Sequence, residues 1–166
     1  ERSLIQSNAS LEQSRIHEYN LRFDTPDHTL REQKKVLRLR KDKAVHLTYK
    51  DPALSPDSDE RNPIVSTRRE VEFEVSDFES AKQFLFALGY TSVTIYEKYR
   101  TSYRFQNSVI TIDELPIGTF AEIESTSPLE VKMIADQLGL VWENHSNDSY
   151  MGLFERIIIK KNLDIK

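Results

Sequence analysis

The chain has 166 residues with a formal net charge of −4 at pH 7, and 38% of them are hydrophobic, which is typical of one globular domain with its own core. It has no cysteine, so disulfides and thiolate chemistry are excluded, and no apolar run approaches the roughly 20 residues that a membrane-spanning helix needs. The negative charge argues against a nucleic acid polymer as partner, and because no apolar leader starts the chain we expect a single cytoplasmic domain over residues 1–166.

The alternation of apolar and polar residues predicts strands joined by short links, with a few helices between them. In the first half, the predicted elements are strands over 15–24, 36–41, 44–50 and 66–75, a helical turn over 29–34 and a loop over 51–63. In the second half, they are a helix over 78–88, strands over 93–102, 102–105, 109–113 and 119–125, a helix from 128 to 139 and a short helix over 149–155. Residues 1–15 show no clear strand period.

Most links between strands are too short for parallel crossovers, so we predict about eight antiparallel strands with helices packed outside, an α+β fold. Asp77 is expected to cap the first long helix and Gly89 to end it. Ser127 and Glu130 have the spacing of a capping box at the start of the next helix. The apolar run 157–159 is compatible with a strand, an association segment or simple packing.

The predicted strands each have one apolar and one charged face. The ordinary interpretation is an antiparallel sheet whose charged side lies in water. Here, however, bases and acids are concentrated on different strands. The bases are Arg38, Arg40, Lys50, Arg68, Lys98 and Arg100, and the acids are Glu70, Glu72, Glu74, Asp113, Glu122 and Glu124. If the sheet curls with this side inward, the result is a β-barrel tunnel with a polar interior and helices packed outside.

The stretch from Asp113 to Glu124 predicts a strand end, a Pro/Gly turn and a second strand. Side chains alternate along a strand, so Glu122 and Glu124 point to the same side, with Asp113 nearby. Neighbouring carboxylates repel each other unless a positive partner lies between them. The residues alone leave open whether that partner is a divalent metal, an Arg/Lys cluster or water.

An ordered set of short segments resembles the motifs of CYTH domains. They are Leu21–Asp27 (YFDTPD), Leu37–Arg40 (LRxR), Leu47–Lys50 (LTxK), Arg68–Glu72 (RxExE), Lys98–Arg100 (KxR), Asp113–Glu124 (LDxLPxLGxFxEIE) and Leu138–Leu140 followed by Ser149-Tyr150 (LGL…SY). Over about residues 16–154 the chain is therefore similar to the triphosphate tunnel metalloenzymes. This family includes CyaB-type adenylate cyclases, thiamine triphosphatases and inorganic triphosphatases.

The resemblance implies an eight-stranded antiparallel tunnel and a Mg²⁺- or Mn²⁺-dependent reaction on ATP, thiamine triphosphate or tripolyphosphate. That reaction is either hydrolysis or cyclisation of ATP to cyclic AMP with release of pyrophosphate. Carried over by position, the phosphate-binding residues are Arg38, Arg40, Lys50, Arg68, Lys98 and Arg100. Lys50 and Arg100 are the expected catalytic residues within that group. The metal ligands are Glu70, Glu72, Asp113, Glu122 and Glu124.

One part of the family pattern is missing. The family begins with Glu-x-Glu-x-Lys on its first strand, and nothing in residues 1–15 matches it. Either the sequence is trimmed at its start, which we favour, or the protein is a nucleotide- or polyphosphate-binding module without catalysis. A structural domain with a solvated charged face is the third alternative. No role is assigned to His46, and the sequence leaves open whether two copies associate.

Overall fold

The computed structural model describes residues 4, 7–52 and 68–161, the last four of these for the backbone alone. The strands are β1 (Ser10–Asp24), β2 (Val36–Lys41), β3 (Val45–Pro52), β4 (Arg68–Glu74), β5 (Ser92–Phe105), β6 (Ser108–Leu115) and β7 (Gly118–Glu124). The helices are α1 (Thr29–Glu32), α2 (Phe78–Ala87), α3 (Pro128–Gln137) and α4 (Tyr150–Lys161), with a 3₁₀ turn at Trp142–Asn144. The predicted loop over 51–63 lies outside the described residues from position 53 onward.

The strands are hydrogen-bonded in the order β4-β3-β2-β1-β5-β6-β7. Every strand pair whose register is described is antiparallel, so the predicted α+β class with an antiparallel sheet is confirmed. The described residues form seven strands rather than about eight, because the predicted break at Ser102 is wrong and β5 runs through it. Thr101, Tyr103 and Phe105 are all buried, so the period-two pattern continues across this serine.

β1 begins at Ser10, earlier than the predicted start at Arg15. The extra residues are polar apart from Leu11, which is exposed, so they carry no apolar alternation that a sequence pattern could reveal. They are held by polar contacts with β5 instead. Arg104 donates to the Glu12 carboxylate at 2.7 Å, and the Ser10 hydroxyl donates to the Arg104 carbonyl oxygen at 3.5 Å.

The chain divides into two compact units, which we call the first unit (residues 15–100) and the second unit (residues 1–14 and 101–166). The core of the first unit consists of Leu21, Phe23, Leu30, Leu37, Leu39, Phe78 and Leu85. These residues come from the apolar faces of β1 and β2, from α1 and from α2. The Asp77 carboxylate accepts from the Ser80 N–H at 2.7 Å, which confirms the predicted cap of α2.

The core of the second unit consists of Leu4, Tyr103, Phe105, Ile110, Ile134 and Leu138. Pro128 lies in the first turn of α3 as predicted, but the predicted capping box is wrong, because the Ser127 side chain makes no capping hydrogen bond. The Glu130 carboxylate instead accepts from the Ser125 hydroxyl. The 157–159 run belongs to α4, which is longer than predicted. Within the described ranges, no helix combines the length and apolar character that a membrane crossing needs.

The turn after β1 depends on the carboxylate of Asp24. One of its oxygens accepts from the backbone N–H groups of Thr25 and Leu30, at 2.8 and 2.9 Å. The other accepts from the N–H of Arg31 at 3.0 Å. Because the first N–H groups of a helix have no partner inside the helix, this one side chain both ends β1 and starts α1.

We predict that Asp24→Ala lowers the free energy of unfolding by about 2 kcal/mol, because three backbone N–H groups lose their acceptor. Urea unfolding followed by circular dichroism measures the change. Glu32→Ala is the matched control, since it removes an exposed carboxylate from the adjacent helix α1. An equal effect of the two substitutions would contradict the role assigned to Asp24.

Candidate functional site

One side of the first unit's sheet carries polar and charged residues, and we call it the charged face. Strand register defines it: Arg22 lies opposite Arg38, and Asn20 lies opposite Arg40. Because paired residues point to the same side of a sheet, the face continues across β3 and β4. Its members on β1 to β4 are Glu18, Asn20, Arg22, Arg38, Arg40, His46, Thr48, Lys50, Arg68, Glu70, Glu72 and Glu74. The apolar core of the first unit packs on the opposite side of these strands.

Glu18 is the centre of the most buried part of this face and is 1% exposed. Its Oε2 lies 3.5 Å from Lys98 Nζ, and its Oε1 lies 3.8 Å from Arg100 Nε and 4.0 Å from Arg40 Nη1. Three of the predicted phosphate-binding bases therefore surround one carboxylate. The sequence prediction missed Glu18, although its position in phase with Asn20 and Arg22 and out of phase with Leu21 is a visible signal.

Glu72 holds the neighbouring pair of bases. Thr48 Oγ1 donates to Glu72 Oε2 at 2.6 Å, Arg40 Nη2 lies 3.3 Å from Oε1, and Arg38 Nη2 lies 3.5 Å from Oε2. Burial alone would raise the pKa of Glu72, but the Thr48 hydrogen bond and the charges of Arg40 and Arg38 outweigh it, so the pKa is lowered. This predicted metal ligand is therefore an ionised partner of the bases.

The remaining predicted residues of the first unit lie on β3 and β4. Lys50 Nζ lies 2.7 Å from the Glu70 carboxylate. The lysine predicted to be catalytic and a glutamate predicted to bind metal therefore form an ion pair with each other. Arg68 lies opposite Pro52 on the same face. His46 Nε2 lies 3.7 Å from the Glu74 carboxylate.

Arg22 belongs to the charged face but was not predicted as a site residue. Burial lowers the pKa of Arg22, and the positive charges of Arg68 and Arg31 lower it further against the opposing influence of Tyr96 and Asp24. A lowered arginine pKa means that the surroundings disfavour the positive charge. An anionic ligand on this face would relieve that effect.

The predicted carboxylates of the second unit do share a face. Asp113, Glu122 and Glu124 lie on the same side of β6 and β7, because Glu122 is opposite Thr111 and Asp113 is opposite Phe120. Asp113 is fully buried and accepts from the Tyr150 hydroxyl at 2.8 Å.

Tyr150 interacts with both Asp113 and Glu122. Burial is the largest cause that raises the pKa of Tyr150, and the negative charges of Glu122 and Asp113 raise it further. The tyrosine therefore stays protonated. Its hydroxyl is a neutral donor between two carboxylates, in the place where the sequence indicated a positive partner.

The predicted metal group is divided between the two units, with Glu70 and Glu72 in the first and Asp113, Glu122 and Glu124 in the second. Across the described residues, no group of three or more histidine, aspartate or glutamate side chains is arranged to hold a metal ion. Asp113 and Glu122 share the Tyr150 hydroxyl and are the pair best suited to provide oxygen ligands. By themselves they are an incomplete ligand set.

A model of the CYTH domain matches residues 2–144. A curated protein of Methanocaldococcus jannaschii, "Putative adenylate cyclase", is 30% identical over 106 residues, which are 63% of this chain. The aligned part spans 57% of that relative's length.

Two solved structures share the fold. A Vibrio parahaemolyticus protein described as a "putative adenylate cyclase" has a TM-score of 0.77 at 21% identity, over 93% of this chain and 88% of its own. A Hippeastrum "putative adenylyl cyclase", described as having a dominant triphosphatase activity, has a TM-score of 0.59 at 20% identity, over 88% and 84% of the two chains.

We predict that Glu72→Gln destabilises the protein near pH 7 and that the difference from the parent is smaller near pH 3. A carboxyl with a lowered pKa stabilises the folded state above its unfolded value of 4.5, and this contribution is lost as the pH falls through the lower folded pKa. Urea unfolding at both pH values measures the difference. Glu74→Gln is the control, because that side chain is 73% exposed on the same strand and face. A difference for Glu72→Gln that does not decrease between pH 7 and pH 3 would contradict the ion-pair assignment.

Proposed function

The chain belongs to the CYTH domain family, and from this premise we propose that it is a divalent-metal-dependent enzyme that acts on a triphosphate. The observation that carries the proposal is the concentration of bases on the charged face. Lys98 is 2% exposed, and Arg38, Arg40 and Arg100 are 12 to 14% exposed, as measured on their side chains.

Among the described residues, bases outnumber acids on this face, even when Glu70 and Glu74 are included. Glu18 and Glu72 pair with the four bases Arg38, Arg40, Lys98 and Arg100, and Asp42 adds a contact to Arg40 Nε at 3.1 Å. Arg22 adds a base whose surroundings disfavour its charge. Largely buried positive charges in excess are costly, and a polyanion compensates them. A linear triphosphate has the required charge and can accept from several guanidinium groups at once.

The carboxylates have a second effect on the bases. Glu72 contacts Arg38 and Arg40, and Glu18 lies among Arg40, Lys98 and Arg100, so the bases are ordered before any ligand binds. Groups that are already in place lose less conformational entropy when a ligand arrives. We therefore assign Arg38, Arg40, Lys98 and Arg100 to phosphate binding, with Lys50 and Arg68 further along the same face.

A divalent metal ion, when bound, neutralises phosphate charge and orients the attacking oxygen. Membership of the family supports a divalent metal requirement, and we propose Mg²⁺ or Mn²⁺ because the available ligands are carboxylate oxygens. Asp113 and Glu122 are the ligands that we assign from the described residues, with Glu124 beside them on the same face.

Two reactions are compatible with the charged face. In a triphosphatase, water attacks the terminal phosphorus and releases phosphate. In a cyclase, the ribose 3′ hydroxyl attacks the α-phosphorus and pyrophosphate leaves. The second candidate function is a binding module without catalysis, and the specific observation in its favour is that the described residues do not complete a metal site.

The deciding assay incubates the protein with tripolyphosphate, ATP or thiamine triphosphate in Mg²⁺ or Mn²⁺. Phosphate, pyrophosphate and cyclic AMP are then measured. Metal-dependent turnover of any of the three supports the enzyme. Binding of tripolyphosphate without turnover selects the binding module, and absence of binding rejects both functions.

We predict that Arg38→Ala weakens tripolyphosphate binding at least tenfold, because it removes a charge-assisted donor from the charged face. Isothermal calorimetry measures the affinity. Arg69→Ala is the matched control, since Arg69 lies on the other side of β4, is 72% exposed and pairs with Asp51. The affinity of the Arg69→Ala variant for tripolyphosphate is expected to stay within about twofold of that of the parent. If the two variants bind alike, the charged face is not the phosphate site.

For the metal, we predict that Glu122→Ala raises the Mn²⁺ concentration at half-maximal turnover by about tenfold or more, because one oxygen ligand is lost. The measurement is a Mn²⁺ titration of activity at saturating substrate. Glu143→Ala removes an exposed carboxylate of the same unit and is expected to leave the midpoint unchanged. An unchanged midpoint for Glu122→Ala would remove this residue from the metal assignment.

A further inference from the structure

Asn20 is fully buried in the charged face, yet within the described part of the chain neither its amide oxygen nor its amide nitrogen has a hydrogen-bond partner. It lies between Glu18 and Arg22 on β1 and opposite Arg40 on β2. Buried side-chain amides are almost always hydrogen-bonded, so an unpaired amide beside the phosphate-binding bases indicates a group from outside the chain.

Buried side-chain atoms that have no hydrogen-bond partner among the described residues are concentrated at this place. They are Glu18 Oε2, Asn20 Nδ2, Asn20 Oδ1, Arg38 Nε, Arg40 Nε, His46 Nδ1 and Ser108 Oγ. All except Ser108 Oγ belong to the charged face. Two of them keep ion-pair contacts, Glu18 Oε2 with Lys98 Nζ at 3.5 Å and Arg40 Nε with Asp42 at 3.1 Å. Packing defects would be expected at scattered places in the core. A concentration of such atoms on one side of one sheet is better explained by a ligand that binds there.

These atoms require a ligand that offers both hydrogen-bond acceptors and hydrogen-bond donors. Arg38 Nε is a donor that a phosphate oxygen can satisfy, whereas Arg40 Nε already contacts Asp42. Glu18 Oε2 is an acceptor, and a phosphate that is ionised at neutral pH has no proton to give it. Asn20 both donates and accepts. A triphosphate alone therefore satisfies only part of the set, and a donor must lie beside it.

The charge around Glu18 decides what kind of donor fits. Lys98, Arg100 and Arg40 all lie within 4.0 Å of its carboxylate. A metal ion or an ammonium group placed on Glu18 Oε2 would meet three positive charges and be repelled. A neutral hydroxyl can donate to Glu18 or Asn20 and accept from the Asn20 amide without that repulsion.

We propose that Glu18 and Asn20 form a hydroxyl-binding subsite next to the phosphate-binding bases, and that the substrate is the triphosphate ester of a sugar, a nucleoside triphosphate. The inference rests on the proposed function, because it takes the bases to hold the phosphates. Such a subsite would distinguish nucleoside triphosphates from tripolyphosphate and from thiamine triphosphate, because neither of these has a sugar hydroxyl.

The test compares the affinities of ATP, 2′,3′-dideoxy-ATP and tripolyphosphate for the protein, measured by calorimetry in EDTA so that turnover is absent. The parent is expected to bind ATP about tenfold more tightly than dideoxy-ATP. Asn20→Leu, which keeps the volume and removes the amide, is expected to weaken ATP binding about tenfold and to leave dideoxy-ATP and tripolyphosphate within twofold. Glu18→Gln is expected to strengthen tripolyphosphate binding and to reduce the preference for ATP over dideoxy-ATP.

Ser108→Ala is the matched control, because it removes another buried, unpaired polar atom in the second unit and is expected to change none of the three affinities. Equal loss of all three ligands in Asn20→Leu would mean that Asn20 supports the fold or the phosphates, and would overturn the subsite. Unchanged ATP binding would mean that water satisfies the amide, with the same consequence.

The parent protein decides the question even if Asn20→Leu fails to fold. Tight tripolyphosphate binding with equal affinities for ATP and dideoxy-ATP removes the hydroxyl subsite and leaves the proposed function standing. Failure to bind tripolyphosphate removes the proposed function, and the subsite with it.

Discussion

Positive charges crowded on one face of a sheet are stable only when negative charges are placed among them. In the first unit this requirement is met by Glu18 and Glu72, which together contact Arg38, Arg40, Lys98 and Arg100. The two carboxylates fix where the guanidinium and ammonium groups point. The remaining excess of positive charge is what makes the same face suitable for an anion.

The opposite side of the same strands holds the charged face in position through the apolar core. Leu37 and Leu39 alternate with Arg38 and Arg40 along β2, so each base is anchored between residues of the core. Each arginine position is therefore set by apolar packing on one side of the backbone and by ion pairs on the other. Asp24 adds a third constraint at the end of β1, where its carboxylate organises the turn into α1.

Elements with strong local patterns could be predicted from the sequence. The β2–β3 hairpin alternates regularly, and Asp77 and Gly89 mark the ends of α2, so these were located within a residue or two. Predictions failed where a competing interaction was invisible in the sequence. The Glu130 carboxylate accepts a hydrogen bond from Ser125, so it does not form the expected capping box. In β1, polar contacts rather than burial extend the strand to Ser10. The alternation along β1 places Glu18 on the charged side of the strand. Its role as a partner of the bases can be inferred only when Lys98 and Arg100 of β5 are known to lie beside it.

The contact between Tyr150 and Asp113 joins residues 37 positions apart. It links the binding of a ligand at the carboxylates to the packing of α4. Tyr150 is the first residue of α4, so the hydroxyl that satisfies the buried carboxylate is also the point where the last helix is held against β6. A ligand that takes Asp113 Oδ2 competes with that attachment. Occupancy of the carboxylates and docking of α4 are therefore thermodynamically linked, and each shifts the equilibrium of the other by the same free energy.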